Sequence, residues 1–255
     1  MSNQLGGFCT KSVYHAEICA NNETRRQRTP SKDIDMADID RSNVEAELGP
    51  GERAPERRKR SLLDSAIVEF TTYGIGGARV DRIADRAHSN KAMLYHYFGS
   101  KEGLYLAALQ DIYAGIRHAE DRIDLDISEP VTAIRALIAF TFGYYVDNPG
   151  FVRMINTENL HKAAHLRTAQ DMPAINRPIL TKVAAIIDSG VAKGIFRPGI
   201  DPLDLYISIS ALGFTYVSNR HTLEVLFGRD LLAPEFVSAR LETMTDMILR
   251  YVAAD

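Results

Sequence analysis

Three observations predict an all-α protein. Apolar residues recur at helical spacing through most of the chain from Glu52 onward, and no segment alternates apolar and polar residues as a half-buried strand would. Within Val80 to Lys101 two short helical patterns meet at a break of three residues, His88, Ser89 and Asn90, too small to be a linker. That is the signature of a helix-turn-helix. A chain of 255 residues, 45% hydrophobic and 25% charged, has room for one small domain and one larger one. The expected division is an extension over 1–51, a helix-turn-helix domain over 52–101 and a helical domain over 102–255.

The extension has no sustained period. Asn21-Asn22, Thr29-Pro30-Ser31 and the acids Asp33, Asp35, Asp38 and Asp40 give it the composition of a disordered tail, in which Met36 is a candidate start. Cys9 and Cys19, the only cysteines, fall in this tail without partners at metal-ligand spacing. No run of eighteen apolar residues and no basic region followed by an apolar stretch is present, so the expectation is a cytoplasmic protein without a membrane span.

Glu52 to Tyr73 reads as the first helix, with Leu63, Ile67 and Phe70 beside Leu62, Ala66 and Tyr73 as its apolar stripe and Gly74 as a left-handed C-cap. Val80, Ile83, Ala84 and Ala87 give the second helix one apolar face. Ser89 or Asn90 caps the third, Lys91 to Phe98, which Gly99 and Ser100 stop. Eight residues make a helix about 12 Å long, too short to be a core element. Its side chains suit a DNA duplex instead: Lys91 for phosphate charge, Tyr95, His96 and Tyr97 for phosphate oxygens, Ala92 and Met93 for thymine methyl groups.

Charge is distributed accordingly. The whole chain is −3, but residues 52–101 hold ten Lys or Arg against six Asp or Glu, a local +4. Arg57 and Arg60, within Arg57-Arg58-Lys59-Arg60, and Lys101 are candidate phosphate contacts.

The run from Phe70 to Gly74, Val80-Asp81-Arg82-Ile83-Ala84, then Lys91-Ala92-Met93-Leu94-Tyr95-His96-Tyr97-Phe98 and Gly99-Ser100-Lys101-Glu102-Gly103-Leu104, resembles the DNA-binding domain of TetR/AcrR-type transcriptional regulators over about fifty residues. Two positions depart from that pattern. The turn usually has Gly and an apolar residue where this chain has His88 and Ser89, and the entry to the middle helix usually has Ser or Thr where this chain has Ala78 and Arg79. A histidine takes a positive φ less readily than glycine. Arg79 is then a substitute phosphate contact. The resemblance implies a repressor released from a pseudo-palindromic operator by a small-molecule effector, and a homodimer paired through the last two helices. It also implies that the helix over Lys101 to Arg122 pivots when the effector binds.

Beyond that pivot, Pro130 starts an all-round apolar, hence buried, helix to Asp147. Further helices are expected over Phe151 to His165, Pro173 to Lys193, Pro202 to His221 and Pro234 to Tyr251. Phe140, Phe142, Tyr144, Tyr145, Phe151, Tyr206, Phe214 and Tyr216 are aromatic candidates for an effector pocket, with Asn156, Glu158, Asn159 and His161 as polar lining or interhelix partners. Ser210 and Gly213 would let another helix come close. Asp147-Asn148-Pro149 and Glu158-Asn159-Leu160 loosely resemble RutR-type regulators.

Glu158, His161 and His165 could share one helix face, but zinc needs a fourth ligand and the HExxH order is missing, so no metal and no cofactor are expected. With no nucleophile elbow, P-loop or dinucleotide fingerprint, an enzyme is not expected. The competing reading is an architectural or partner-binding DNA protein without an effector, for which the larger domain would lack a cavity.

Overall fold

The computed structural model describes residues 53–254, so the expected tail with Cys9, Cys19 and Met36 lies outside the described residues. Ten α-helices follow one another: α1 Arg53–Gly77, α2 Val80–Arg86, α3 Lys91–Phe98, α4 Lys101–Asp121, α5 Pro130–Asp147, α6 Pro149–Leu160, α7 Met172–Ala192, α8 Pro202–Ser218, α9 Arg220–Phe227 and α10 Pro234–Val252. Among these residues the only β feature is an isolated bridge between Phe196 and Ala253.

Helix α1 buries Leu62, Ala66, Ile67 and Phe70, and packs on α2, α4 and α6. Tyr73, read as part of its stripe, is half-exposed beneath the Arg82 guanidinium, 4.3 Å from the ring centre. Gly74 does take a positive φ, but its pair of angles (64°, 173°) is extended rather than left-handed helical, a region essentially restricted to glycine. The chain therefore kinks there and makes one more turn, closed by the Ala78 N–H donating to the Gly74 carbonyl at 3.0 Å.

The turn between α2 and α3 is a Schellman motif built on histidine. His88 has φ 48°; its N–H reaches the Asp85 carbonyl at 3.1 Å and the Ser89 N–H reaches Ala84 at 2.9 Å. The positive φ that the departure from glycine put in question is thus adopted. Asn90, not Ser89, caps α3, its Oδ1 accepting from the Met93 N–H at 2.9 Å. Leu94, fully buried, anchors the short helix to the domain.

Position of α2 depends on a buried carboxylate. Glu69 on α1 is fully buried and accepts from the Arg79 N–H at 2.9 Å and from Arg82 Nε at 2.7 Å. Arg79 lacks a side-chain cap for α2; Glu69 accepts instead from the N–H of the cap residue itself, the bond that the glutamate of a capping box makes from within the helix. Burial alone would raise the Glu69 carboxyl, yet the hydrogen bonds from Arg82 and the Arg79 N–H hold it below the usual glutamate range.

Helix α4 starts two residues after α3, its cap Ser100 accepting from the Gly103 N–H at 3.0 Å. Helix α5 forms the centre of the second half: Ile134, Leu137, Ile138 and Phe142 are sealed from solvent, and the helix packs on α6, α7, α8 and α10. Gly213 on α8 faces this core rather than another chain, since a Cβ there would lie 3.3 to 3.4 Å from Phe142, Met244 and Tyr145. Helix α6 ends at Leu160, not His165, because Lys162 and Ala163 turn the chain at φ 58° and 56°. Consequently Glu158, His161 and His165 do not share a helix face. Helix α8 likewise ends at Ser218, short of His221, and α9 was not foreseen.

Two expected outcomes follow from this packing. Glu69→Gln should lower the unfolding free energy by about 2 kcal/mol at neutral pH, since a charge-assisted pair becomes a neutral one. Because the folded carboxyl titrates below the unfolded one, that contribution is fully present above the ordinary glutamate range, starts to decline within it and is lost as pH falls on through the lower folded value; urea unfolding at pH 7 and pH 4 should show the gap between the two proteins beginning to shrink on acidification. Gly190→Ala should cost about 2 kcal/mol, because its Cβ would fall 2.0 Å from Cδ2 of the buried Phe196 ring; an unchanged thermal midpoint would contradict that packing.

Candidate functional site

The short helix α3 divides cleanly. Leu94 points inward, Met93, Tyr97 and Phe98 are half-buried, and Lys91, Ala92, Tyr95 and His96 are exposed. Since residues i, i+1, i+4 and i+5 fall on one side of a helix, those four form a continuous outward face. The rings of His96 and Tyr97 meet edge-on at 5.3 Å and those of Tyr97 and Phe98 at 6.3 Å, a row of neighbouring rings within α3. Lys91 pairs with Asp81 in the first turn of α2, and Arg79 lies 3.7 Å from the same carboxylate. That hydrogen bond from Lys91 lowers the Asp81 carboxyl and raises the Lys91 ammonium.

Other basic candidates differ in availability. Arg57 is exposed and Lys101 half-buried at the first position of α4. Arg60 is engaged otherwise than expected: its guanidinium makes a two-pronged bond with Asp111 on α4 and a 2.7 Å ion pair with Asp64. It ties α1 to α4, so its charge is largely satisfied within the protein.

The second site is a cavity of about 170 Å³ among α4, α5, α6, α7 and α8. Tyr113, Ile116 and Arg117 of α4 form one wall, Tyr145 of α5 with Phe151 and Ile155 of α6 another, and Asn176, Tyr206, Ser210 and Phe214 complete it. Four of the eight aromatic candidates are therefore on its surface: Tyr145, Phe151, Tyr206 and Phe214. Phe140 and Tyr144 are not on its surface; their rings lie 5.8 Å apart and Tyr144 supports Phe151 edge-on at 5.5 Å.

The polar candidates on α6 do not line it. Phe151 and Ile155, four residues apart, turn toward the cavity, which leaves Asn156 and Asn159 exposed on other sides of the helix. His161, past the helix end, is exposed and its Nδ1 lies 2.8 Å from the Thr157 carbonyl. Glu158 is buried, but it anchors the following loop: it accepts from the His165 and Leu166 N–H groups at 2.8 and 3.0 Å and pairs with His165 Nδ1 at 2.9 Å. Of the two roles read for this cluster, Glu158 fills the one of joining segments.

The charged group that lines the cavity is Arg117. It donates from Nη2 to the Tyr206 hydroxyl at 2.7 Å and sits 2.9 Å from the buried Glu120. Burial pushes the Glu120 carboxyl up to about 7, opposed by Arg117 and by the Tyr206 hydroxyl 3.4 Å away. The sequence carried a signal for this: Arg117 interrupts the apolar run of Leu109, Ile112, Tyr113 and Ile116, four residues after Tyr113 and three before Glu120, where a solvated charge would not be placed.

Both halves of this geometry match known proteins. Residues 62–108 match the family described as bacterial regulatory proteins, tetR family, and residues 130–248 match the tetracyclin repressor-like C-terminal domain. Over 195 residues the chain is 38% identical to the HTH-type transcriptional repressor NicS of Pseudomonas putida, covering 76% of this chain and 92% of NicS. It is 28% identical over 201 residues to the HTH-type transcriptional regulator RutR of Escherichia coli, covering 79% of this chain and 93% of RutR. Among solved structures, the transcriptional regulator SCO4942 of Streptomyces coelicolor shares the fold, with a TM-score of 0.58 at 24% identity over 76% of this chain and 98% of that one. These relatives control transcription and are not enzymes. With a helix-turn-helix domain whose α3 presents an exposed face of Lys91, Ala92, Tyr95 and His96, and matches that span both parts of the chain, the chain belongs to the TetR family of DNA-binding transcriptional regulators.

Proposed function

We propose that the protein is a homodimeric repressor whose α3 enters the major groove of a pseudo-palindromic operator and whose cavity takes a small-molecule effector that releases the DNA. Residues 52–101 act as the DNA-binding domain and 102–255 as the effector and dimer domain. In α3, Ala92 and Met93 read bases while Lys91, Tyr95, His96 and Tyr97 hold phosphates, with Arg57, Arg79 and Lys101 adding charge around them. Lys91 leaves Asp81 for the phosphate, which an exposed pair permits at little cost. Such a protein works where its operator is, in the cytoplasm; no described helix is long and apolar enough to cross a membrane.

The observation that carries this reading is the reach of α4. The same helix begins directly behind α3, is tied to α1 by Arg60 and Asp111, and supplies Tyr113, Ile116 and Arg117 to the cavity wall. A second strut runs from α6: Arg153 Nη1 donates to the Thr71 carbonyl at the end of α1 at 2.7 Å, and a Cβ on Gly150 would lie 3.0 Å from Thr71. A ligand that displaces α4 or α6 shifts both struts and changes the separation of the two recognition helices in a dimer. A cavity with a buried charged group also favours an effector over a purely architectural role.

Pairing uses α8 and α10. Leu203 and Ile207 are each about half exposed, at 50% and 53%, and stand four residues apart on α8, as do Met247 and Tyr251, at 48% and 40%, on α10. Two apolar stripes of this kind suit a four-helix bundle between copies, which sets half-sites about 34 Å apart or somewhat more.

The test is binding of the purified chain to DNA upstream of its own gene at two salt concentrations against random competitor. Selective binding by a dimer is the expected outcome, and equal weak binding to random DNA would overturn the reading. In the same assay Lys101→Ala should weaken binding to every sequence and reduce the salt slope by about 1, whereas Met93→Ala should chiefly relax base preference. Tyr95→Ala should behave as a phosphate contact, weakening all sequences alike.

A further inference from the structure

We propose that the ligand of the cavity is a small single-ring carboxylate, seated on the Arg117 guanidinium. This deepens the effector reading above and rests on it. Arg117 is 11% exposed. Its Nε and Nη1 are sealed from solvent without a hydrogen-bond acceptor, because the 2.9 Å approach of Nη1 to Glu120 is too oblique to count as one. Unmet N–H groups on a buried guanidinium cost about 1–3 kcal/mol each, and a carboxylate oxygen accepting from one of them forms a charge-assisted bond. One turn beyond Tyr206 on α8, the buried Ser210 hydroxyl adds a second polar group to the lining, near the Tyr145 and Tyr206 hydroxyls. An anion bound to Arg117 satisfies what the protein leaves open.

The remaining walls select a flat ring. Tyr145 meets Phe214 edge-on at 5.7 Å and stacks parallel to Phe151 at 5.9 Å, leaving ring faces and edges as the apolar lining. About 170 Å³ is close to the roughly 150 Å³ of an apolar cavity that holds benzene, so one ring with small substituents fits.

Charge balance adds a consequence. With Arg117 and Glu120 both ionised the pair is neutral, and an incoming anion would sit beside a buried carboxylate. Glu120 faces Arg117 on its own helix and the Tyr206 hydroxyl of α8; Lys182 of α7 reaches its backbone carbonyl at 3.5 Å while pairing with neighbouring Asp121. Its carboxyl, already raised by burial to about 7, takes up a proton when the ligand arrives. The complex then holds that proton more tightly than the free protein does. Affinity is therefore greatest below pH 7 and falls, by up to about tenfold per pH unit, as pH rises above it.

Isothermal titration of the full chain with benzoate, benzamide and benzylamine at pH 6.5 and 8.5, alongside operator release by each compound, tests this. Expected are binding of benzoate, at least about tenfold weaker binding of benzamide, none of benzylamine, and weaker benzoate binding at the higher pH, with the proton uptake measured in two buffers of different ionisation heat. Glu120→Gln should keep the preference for benzoate and lose its pH dependence, and Arg117→Gln should lose the preference. Benzamide or benzylamine binding as well as benzoate and releasing the operator would overturn the carboxylate assignment while leaving the effector reading intact. Silence of all three compounds, with operator binding intact, would overturn the cavity reading itself. Retention of the benzoate preference by Arg117→Gln would remove the seat proposed here.

Discussion

Stiffness of one helix links the two parts of this molecule. Helix α4 has 21 residues, about 31 Å of continuous hydrogen-bonded backbone, and bending it would break bonds in its ladder. Its first turn is fixed by Ser100 immediately behind the recognition helix, its middle is held to α1 through Asp111 and Arg60, and its last turns form a cavity wall and carry the ion pair from Asp121 to Lys182 on α7. A displacement at one end therefore appears at the other. The fold needs no flexible linker between DNA contact and cavity, and among the described residues there is none between α3 and α4 longer than Gly99 and Ser100.

Three buried glutamates show how differently one side chain can be used. Glu69, Glu120 and Glu158 are 0%, 1% and 2% exposed. Glu69 is met by a guanidinium and a backbone N–H, so the cost of burying its charge is offset and the result is a rigid helix-turn-helix. Glu158 is met by two backbone N–H groups and a histidine ring, which hold the loop after α6. Glu120 is met least completely, by an oblique arginine and a long contact to a phenol, and it is the one whose carboxyl rises toward neutrality. Glu69 and Glu120 each keep one buried oxygen without a hydrogen bond, and of the two it is Glu120 that lies beside Arg117 of the cavity wall, where polar groups left open by the protein can be closed by a ligand.

The departures from the family pattern were resolved by geometry elsewhere in the domain. His88 occupies the left-handed position at the end of α2 because both hydrogen bonds of the Schellman motif form around it. Arg79 makes no hydroxyl-type cap, but Glu69, ten residues earlier, reaches its N–H and fixes the entry to α2. Neither compensation is visible at the site of the substitution, since each depends on atoms brought close only by the fold.

By itself the sequence determined the helices whose apolar period is long and whose ends are punctuated. Pro130, Pro202 and Pro234 begin α5, α8 and α10 as read, and the all-round apolar pattern of Pro130 to Asp147 is the central helix. The short helix α3 was legible too, because its polar cap at Asn90, one inward leucine at Leu94 and the stop at Gly99 are all local signals. What tertiary structure alone decided is which side of each helix meets which neighbour. Tyr206 and Phe214 were found as cavity residues, but Arg117 and Asn176 were not, since they converge from α4 and α7 across about sixty residues of chain. Asn156, Asn159 and His161 looked like lining in sequence and turned outward, because Phe151 and Ile155 took the inward side and the helix stopped at Leu160. Ser210 and Gly213 were read as letting another helix come close; Gly213 does so within the chain, against Phe142 and Tyr145 of α5 and Met244 of α10, while Ser210 reaches the cavity. Periodicity gives a helix an apolar side; only packing tells it what that side touches.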